Sequence, residues 1–265
     1  MSDYVIAILI GIIEGLTEFL PVSSSGHMIL AGSVLGFEGE KASVFEVFIQ
    51  LGAILSILIL YRDKFRELLT SVHSKSKAGL TLYHIAAGIL PILMMGFLFH
   101  KAIKTYLFSP STVIIGLFFG GFLMLAAEKW SSRPQVNTLE DMTIKQAFTV
   151  GLFQILSLWP GFSRSGSTIS GGIIMGMSRQ AAAEFSFVIA VPLMFIACLY
   201  DLAKVWSQLE AGDLKMLVVG FGVAFVVAYG SVIWFLRFLN KSTLSSFAYY
   251  RFVLGAVSYY YFYLR

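Results

Sequence analysis

Charge is scarce in this chain. Only 13% of its 265 residues are Asp, Glu, Lys or Arg, about half the ~25% of an ordinary soluble domain. Hydrophobic residues make up 57%, and the mean hydropathy is +0.81. That balance excludes a soluble fold and makes an integral membrane protein the default. Cysteine is scarcer still. Cys198 stands alone in an apolar run, so no intrachain disulfide can form and plain packing is its reading. A basic, aromatic-interleaved surface is also missing, which removes nucleic acid as a partner. The net charge of +4 suits the Lys and Arg of membrane loops. The opening stretch MSDYVIAILIGIIEGLTEFL lacks the basic n-region and the A-x-A site of a signal peptide, and Glu14 and Glu18 interrupt it. It reads as mature protein.

Long apolar runs are plentiful. Six segments, about 44–61, 80–99, 111–128, 181–203, 214–238 and 246–264, reach the roughly 20 residues that a membrane span needs. Two regions differ. Residues 4–37 and 144–178 each hold two short apolar arms around a polar centre, EGLTEFLPVSSSGH in the first and WPGFSRSGST in the second. Each arm is too short to cross alone, so both regions read as re-entrant hairpins of two half-helices. Such backbone survives at membrane depth only where protein or a water-filled cavity surrounds it. The rival reading makes residues 4–22 a full span that carries two glutamates.

The order hairpin, three spans, hairpin, three spans suggests an internal repeat. GLTEFLPVSSSG resembles GLFQILSLWPGFSRSG with a small insertion, and EVFIQLGAILSILILY after the first tip parallels EFSFVIAVPLMFIACLY after the second. A hairpin returns to its own side and three spans do not, so the second copy enters from the opposite face. The expectation is an all-α integral membrane protein: one domain, 1–265, with six transmembrane helices and two re-entrant helix hairpins in an inverted-topology repeat. Repeat one covers about 1–130 and repeat two about 143–265. This plan puts a polar site between two broken helices near mid-membrane. Loop charges orient it. Arg62, Lys64, Arg66, Lys75, Lys77, Lys129, Arg133, Lys145, Arg237 and Lys241 share one side, which the positive-inside rule makes cytoplasmic. Lys41, Lys101, Lys104, Lys204 and Lys215, diluted by Glu38, Glu40, Glu210 and Asp213, take the other.

Glu14 and Glu18 are four residues apart, one turn on one helix face. Two like charges in low dielectric call for a shared proton or a cation between them. A hard divalent ion, Mg²⁺ or Ca²⁺, suits carboxylate oxygens and leaves room for phosphate oxygens. Pro21 breaks the half-helix. Ser23, Ser24 and Ser25 supply hydroxyls and Gly26 a sharp turn, an anion seat at the start of the next half-helix or ordinary capping. His27 beside three hydroxyls can accept a proton, donate one, or attack phosphorus itself. His73, His84 and His100 have no such company and read as structural or loop residues. In the second tip Arg164 sits between Ser163 and Ser165, before Gly166, Ser167 and Thr168. A guanidinium forks onto phosphate oxygens; the bland alternative is an ion pair from Arg164 to Glu14 or Glu18. One tip brings carboxylates, hydroxyls and imidazole, and the other guanidinium and hydroxyls. With a metal between them the set matches a phosphate or diphosphate. Gly116 and Gly120 form a GxxxG pattern for close helix approach. Tyr249, Tyr250, Tyr259, Tyr260, Tyr261 and Tyr263 read as an interfacial belt. Arg251 either reaches the site or snorkels.

EGLTEFLPVSSSGH and PGFSRSGST, in this order in a chain of this length, resemble the bacterial undecaprenyl-diphosphatase family, the bacitracin-resistance phosphatases, and FEVFIQLGAIL and EFSFVIAVP extend the likeness along the chain. The resemblance implies hydrolysis of undecaprenyl diphosphate to undecaprenyl phosphate and inorganic phosphate, which recycles the lipid carrier for cell-wall peptidoglycan synthesis and confers bacitracin resistance. It implies a divalent cation, a multi-pass bacterial inner-membrane protein whose active site opens to the periplasmic or extracellular side, and often a homodimer. By position, Glu14 and Glu18 match the acidic motif and hold the metal, Ser24 and His27 match the catalytic pair, and Arg164 matches the phosphate-binding arginine. Ser23, Ser25, Gly26, Ser163, Ser165 and Thr168 complete the substrate-binding set. Either Ser24 attacks with His27 as base, or His27 attacks while Ser24 orients the phosphate. The competing class is a transporter or flippase for a lipid phosphate or anion, since inverted repeats with broken helices also build secondary transporters.

Overall fold

The computed structural model describes residues 3–70, 79–107, 109–131, 134–205 and 214–265. Among these the chain is helical, with a lone bridge between Val136 and Met177 as its only β contact. The helices are α1 (Asp3–Thr17), α2 (Ser24–Leu35), α3 (Glu40–Leu60), α4 (Arg62–Thr70), α5 (Leu82–Tyr106), α6 (Pro110–Trp130), α7 (Ile144–Gln154), α8 (Arg164–Ile174), α9 (Arg179–Val205), α10 (Leu214–Leu239) and α11 (Ser245–Tyr259). Five of them, α3, α5, α6, α9 and α10, are long and apolar enough to cross a membrane. The remaining expected span is α11 continued by a π-helical run, Tyr260–Leu264. The loop expected after the first span forms a helix instead, α4. Its Leu68 is buried, and Lys64 forms an ion pair with Glu140 that ties it to the segment before α7. The hydrogen bond from Lys64 holds the Glu140 carboxyl below its ordinary range. His73, Lys75, Lys77, Arg133, Glu210 and Asp213 lie outside the described residues.

The two broken regions are pairs of short helices. α1 has 15 residues and α7 has 11, about 23 and 17 Å at 1.5 Å per residue, against a hydrocarbon core of about 30 Å. α1 ends at Thr17, whose hydroxyl bonds back to Ile13 O at 2.7 Å, four residues before Pro21. α7 opens on a reciprocal cap between Thr143 and Gln146. It tightens into 3₁₀ turns at Ile155–Leu158 and stops at Pro160 and Gly161, whose φ of +89° suits glycine. α2 and α8 then begin the same way. Ser23 and Ser163 sit at φ 72° and 75°, and each hydroxyl accepts the N–H of the glycine three residues on, Gly26 or Gly166. Non-glycine residues rarely hold such angles, so the matching strain marks both turns as built features.

Packing fixes the direction of each pair. α1 runs parallel to α10: Gly11 lies against Gly220, Gly15 against Ala224, and Ser231 donates to Leu16 O. α7 runs parallel to α5: His84 reaches Met142 O, and Gly151 and Gln154 lie against Gly88. α10 starts at the end of the bundle where α5 and α9 finish, joined there by Lys204 and His100. α5 starts at the other end, where Arg179 of α9 forks onto Glu128 of α6 and Glu128 also accepts Leu244 N. The pairs therefore enter from opposite ends, as the parity of the expected spans requires. Between them a core of α3, α8 and α9 side chains, including Phe185, Phe187, Ile169 and Ile57, is closed to solvent.

Close contact at α1 makes a test. A Cβ on Gly15 would lie 2.8 Å from Ala224 O and 2.8 Å from Val227 Cβ. Gly15→Val should lower the thermal midpoint in detergent by the equivalent of about 1–3 kcal/mol of overpacking. Gly222→Ala, with nothing within 4 Å of its Cβ position, should not lower it.

Candidate active site

The two tips meet. Arg164, first residue of α8, places Nη2 3.1 Å from Glu18 Oε1 and 3.5 Å from Glu18 O, and its Nη1 donates to Ser186 O at 3.2 Å. Both side chains are nearly closed to solvent, at 10% and 8% exposed. The guanidinium also lies 5.4 Å from the centre of the Phe19 ring. Ser165 donates to Leu20 O at 2.8 Å, and Gly161 N lies 3.5 Å from Ser25 Oγ. Every one of these contacts joins one broken pair to the other or to α9.

Ser24 donates a short hydrogen bond to Glu18 Oε2. Glu18 thus takes a guanidinium on one oxygen and a hydroxyl on the other. Glu14, one turn earlier, is 1% exposed and faces Glu18, Glu46 and Arg164. Among the described residues its Oε1 has no hydrogen-bond partner, and neither has Arg164 Nε. A buried acceptor and a buried donor are both left open at one site, each costing about 1–3 kcal/mol while unmet.

His27 is bonded elsewhere than expected. Its Nδ1 lies 2.8 Å from Ser23 O, and its Nε2 lies 2.7 Å from the Tyr250 hydroxyl, with the two rings parallel. A carbonyl only accepts, so Nδ1 carries the proton and Nε2 accepts from the tyrosine. Ser24 therefore faces a carboxylate, and the expected Ser24–His27 bond is replaced by Ser24–Glu18 and His27–Tyr250. The other hydroxyls divide by environment. Ser25 is exposed. Ser163 caps α8, and Thr168 is spent on Arg164 O and Ser186 Oγ. Ser165, bonded to Leu20, and Thr168 are fully buried and hold the tips together.

Arg251 was left open in the sequence and here reaches inward. It is 0% exposed and donates to Leu117 O (3.2 Å), Gly116 O (3.1 Å) and Gly161 O (2.7 Å). The GxxxG pattern serves this contact rather than helix pairing alone. A Cβ on Gly120 would sit 2.1 Å from Arg251 Nη2, and one on Gly116 would sit 2.4 Å from Pro160 O. The guanidinium fastens the second tip loop to α6, just behind the N-terminal turn of α8, where a Cβ on Gly166 would sit 3.0 Å from Nη1. Tyr250 and Ser186 are the contacts that sequence reasoning missed. Tyr250 sits among other tyrosines and carried no distinguishing signal, while Arg251 announced itself as a charge inside an apolar run.

The donor set can be tested against a divalent cation. Among the described residues no group of three His, Cys, Asp or Glu side chains is close enough to hold one. Glu14 and Glu18 supply two carboxylates, with Glu14 Oε1 buried and open. That fits an ion that takes its remaining oxygens from water or a bound phosphate.

These features define a class: an all-helical, multi-pass membrane protein with an acidic, hydroxyl and guanidinium centre where two broken helix pairs meet. The family model for bacitracin resistance protein BacA matches residues 7–257. The chain belongs to that family.

Loss of the Arg251 clamp is measurable. Arg251→Met leaves Gly161 O bare in a water-excluded place, at about 1–3 kcal/mol, and removes a second bond from Gly116 O and Leu117 O, which stay paired within α6. The thermal midpoint in detergent should fall. Arg251→Lys, with donors for some of the three, should fall between Met and the unmodified chain.

Proposed function

We propose that this protein hydrolyses undecaprenyl diphosphate to undecaprenyl phosphate and inorganic phosphate, and so recycles the carrier lipid of peptidoglycan synthesis. The observation that carries the reading is the pair of open atoms at the junction of the tips. Arg164 Nε asks for an anion and Glu14 Oε1 asks for a cation or a proton. A cation-bound diphosphate answers both. Family membership supports the reaction class and the bacitracin-resistance role.

Glu14 and Glu18 would hold Mg²⁺ or Ca²⁺, which when bound neutralises phosphate charge and polarises the phosphoryl oxygens. Arg164 turns Nε to the terminal phosphate and stabilises the charge that grows on its oxygens. The N–H groups of Arg164 and Ser165, left over once Ser163 has taken those of Gly166 and Ser167, would serve the same anion. Ser24 Oγ attacks the terminal phosphorus and passes its proton to Glu18 Oε2, already its hydrogen-bond partner. The bond to the bridging oxygen breaks, undecaprenyl phosphate leaves, and Ser24 carries the phosphoryl group. Water then attacks that phosphoserine with His27 Nε2 as base, taking the place of the Tyr250 hydroxyl. The Nδ1–H bond to Ser23 O fixes the tautomer that leaves Nε2 its lone pair. The Ser24 Oγ–P bond breaks, Glu18 returns its proton to Ser24, and inorganic phosphate leaves. The Ser24–Glu18 bond favours serine over histidine as nucleophile. The basic end of the bundle is assigned to the cytoplasm by the positive-inside rule, which opens the site to the periplasmic or extracellular side. The inverted repeat is supported by the matched caps at Ser23 and Ser163.

Phosphate release from undecaprenyl diphosphate in detergent tests the reaction where no transport can occur. The unmodified chain should release phosphate, and a chelator should abolish it. Ser24→Ala, Glu18→Gln and Arg164→Ala should each lose about 10²–10³-fold or more in kcat. Acid quench should trap phosphate on Ser24 in His27→Ala. Phosphate bound to lipid diphosphate but never released would transfer the reading to a flippase or anion transporter.

A further inference from the structure

We infer that the groove between α1, α10 and α11 seats the part of the prenyl chain next to the diphosphate, so that this surface selects the substrate's tail; the inference rests on the lipid-diphosphate reading above. The groove has a volume of about 790 Å³, and its Leu16, Gly230 and Trp234 are exposed. Ile13, Leu16, Leu20, Trp234, Phe238 and Phe247 give it an apolar wall. Two of its hydroxyls are turned away: Thr17 is spent on Ile13 O and Ser231 on Leu16 O. The polar groups left to an occupant are the His27–Tyr250 pair and, at the exposed edge, Ser246. His27 is also the link to the reacting centre, three residues after Ser24 on the first turn of α2. An occupant with a polar head at Ser24 and Arg164 therefore has one large apolar corridor beginning beside that head. A branched hydrocarbon chain matches it, and a free anion has no use for it. A smaller hollow of about 370 Å³ between α1 and α2 also touches Ile13 and His27. The larger groove is preferred for its room and its aromatic wall.

Gly230 lines the groove, is exposed, and has nothing within 4 Å of its Cβ position. Gly11, Gly15 and Gly220 on the same two helices are instead in tight contact with neighbours. A side chain at 230 thus enters the groove without displacing protein, and replacing a mid-helix glycine favours the helix. Gly222 on α10 is equally open but is not part of the groove, and serves as the control.

The experiment uses the full chain in detergent with a C55 and a C5 prenyl diphosphate. Blocking even one isoprene unit removes several buried carbons at about 0.8 kcal/mol each, so Gly230→Phe should lower the C55-to-C5 ratio of kcat/KM at least about tenfold. Gly230→Leu should lower it less, and Gly222→Phe should leave it unchanged. An unaltered ratio in Gly230→Phe, or an equal fall in Gly222→Phe, would overturn the inference and leave the groove to bulk lipid. A second measurement does not depend on hydrolysis. A prenyl diphosphate with a benzophenone in its first isoprene units should crosslink at Trp234 or Phe247 in the unmodified chain and not in Gly230→Phe. Crosslinking elsewhere counts against the groove, whereas crosslinking here without phosphate release keeps the groove and removes the hydrolase reading.

Discussion

The Arg164–Glu18 ion pair is the constraint on which the rest of this structure depends. It joins the ends of two helices that enter the bundle from opposite directions, and both partners are almost shut off from solvent. A buried pair of this kind brings little net stability, because desolvation offsets most of the attraction. Removing one partner is another matter, since it strands a charge. The pair therefore specifies register more than it stabilises: the tips cannot slide past each other without stranding it. Glu18 then has its second oxygen positioned for Ser24, and Arg164 has one nitrogen left without a partner.

Breaking a helix inside a membrane leaves backbone groups that water cannot satisfy. The chain meets that demand from within the site. Ser23 and Ser163 accept left-handed backbone, at a cost of order 1–3 kcal/mol each, so that their hydroxyls can cap α2 and α8. Arg251 covers Gly161 O of the second tip while anchored on Gly116 O and Leu117 O of α6, and Ser165 covers Leu20 O on the first. What looks like a run of catalytic hydroxyls is therefore mostly scaffolding. Ser24 alone of the serines in the two tips bonds a carboxylate.

Much of this was legible in the residues. Apolar arms too short to span, a proline and charge at mid-depth give the broken pairs directly, and parity gives their opposed entry. An ion pair from Arg164 to Glu14 or Glu18 was readable as the bland alternative, because an isolated charge in hydrocarbon needs an opposite one; the structure makes the partner Glu18. The detailed pairing was not legible. Ser24 reaches Glu18 across a helix break, where neither the 3.6-residue nor the two-residue period applies. Tyr250 meets His27 from 223 positions away, and one tyrosine among many carries no mark of that contact. The segment after α3 was read as a loop because its charges hid an amphipathic period, yet burial of Leu68 and the Lys64–Glu140 pair make it a helix.

The glycines of α6 show how a familiar pattern can serve a different end. GxxxG ordinarily lets two helices approach, and van der Waals contact is the gain. Here the space above Gly116 and Gly120 holds a loop carbonyl and a guanidinium. A fully buried cation hydrogen-bonded to carbonyl dipoles keeps its whole charge while being fixed in place. It stands behind the first turn of α8, where the N–H groups of Arg164 and Ser165 remain after Ser163 takes those of Gly166 and Ser167. Arg251, fully buried and held by three carbonyls, therefore adds a fixed positive charge behind that turn. In the proposed reaction it would favour a phosphate without touching it, whereas Arg164, whose Nε has no partner among the described residues, would be the guanidinium that meets the ligand.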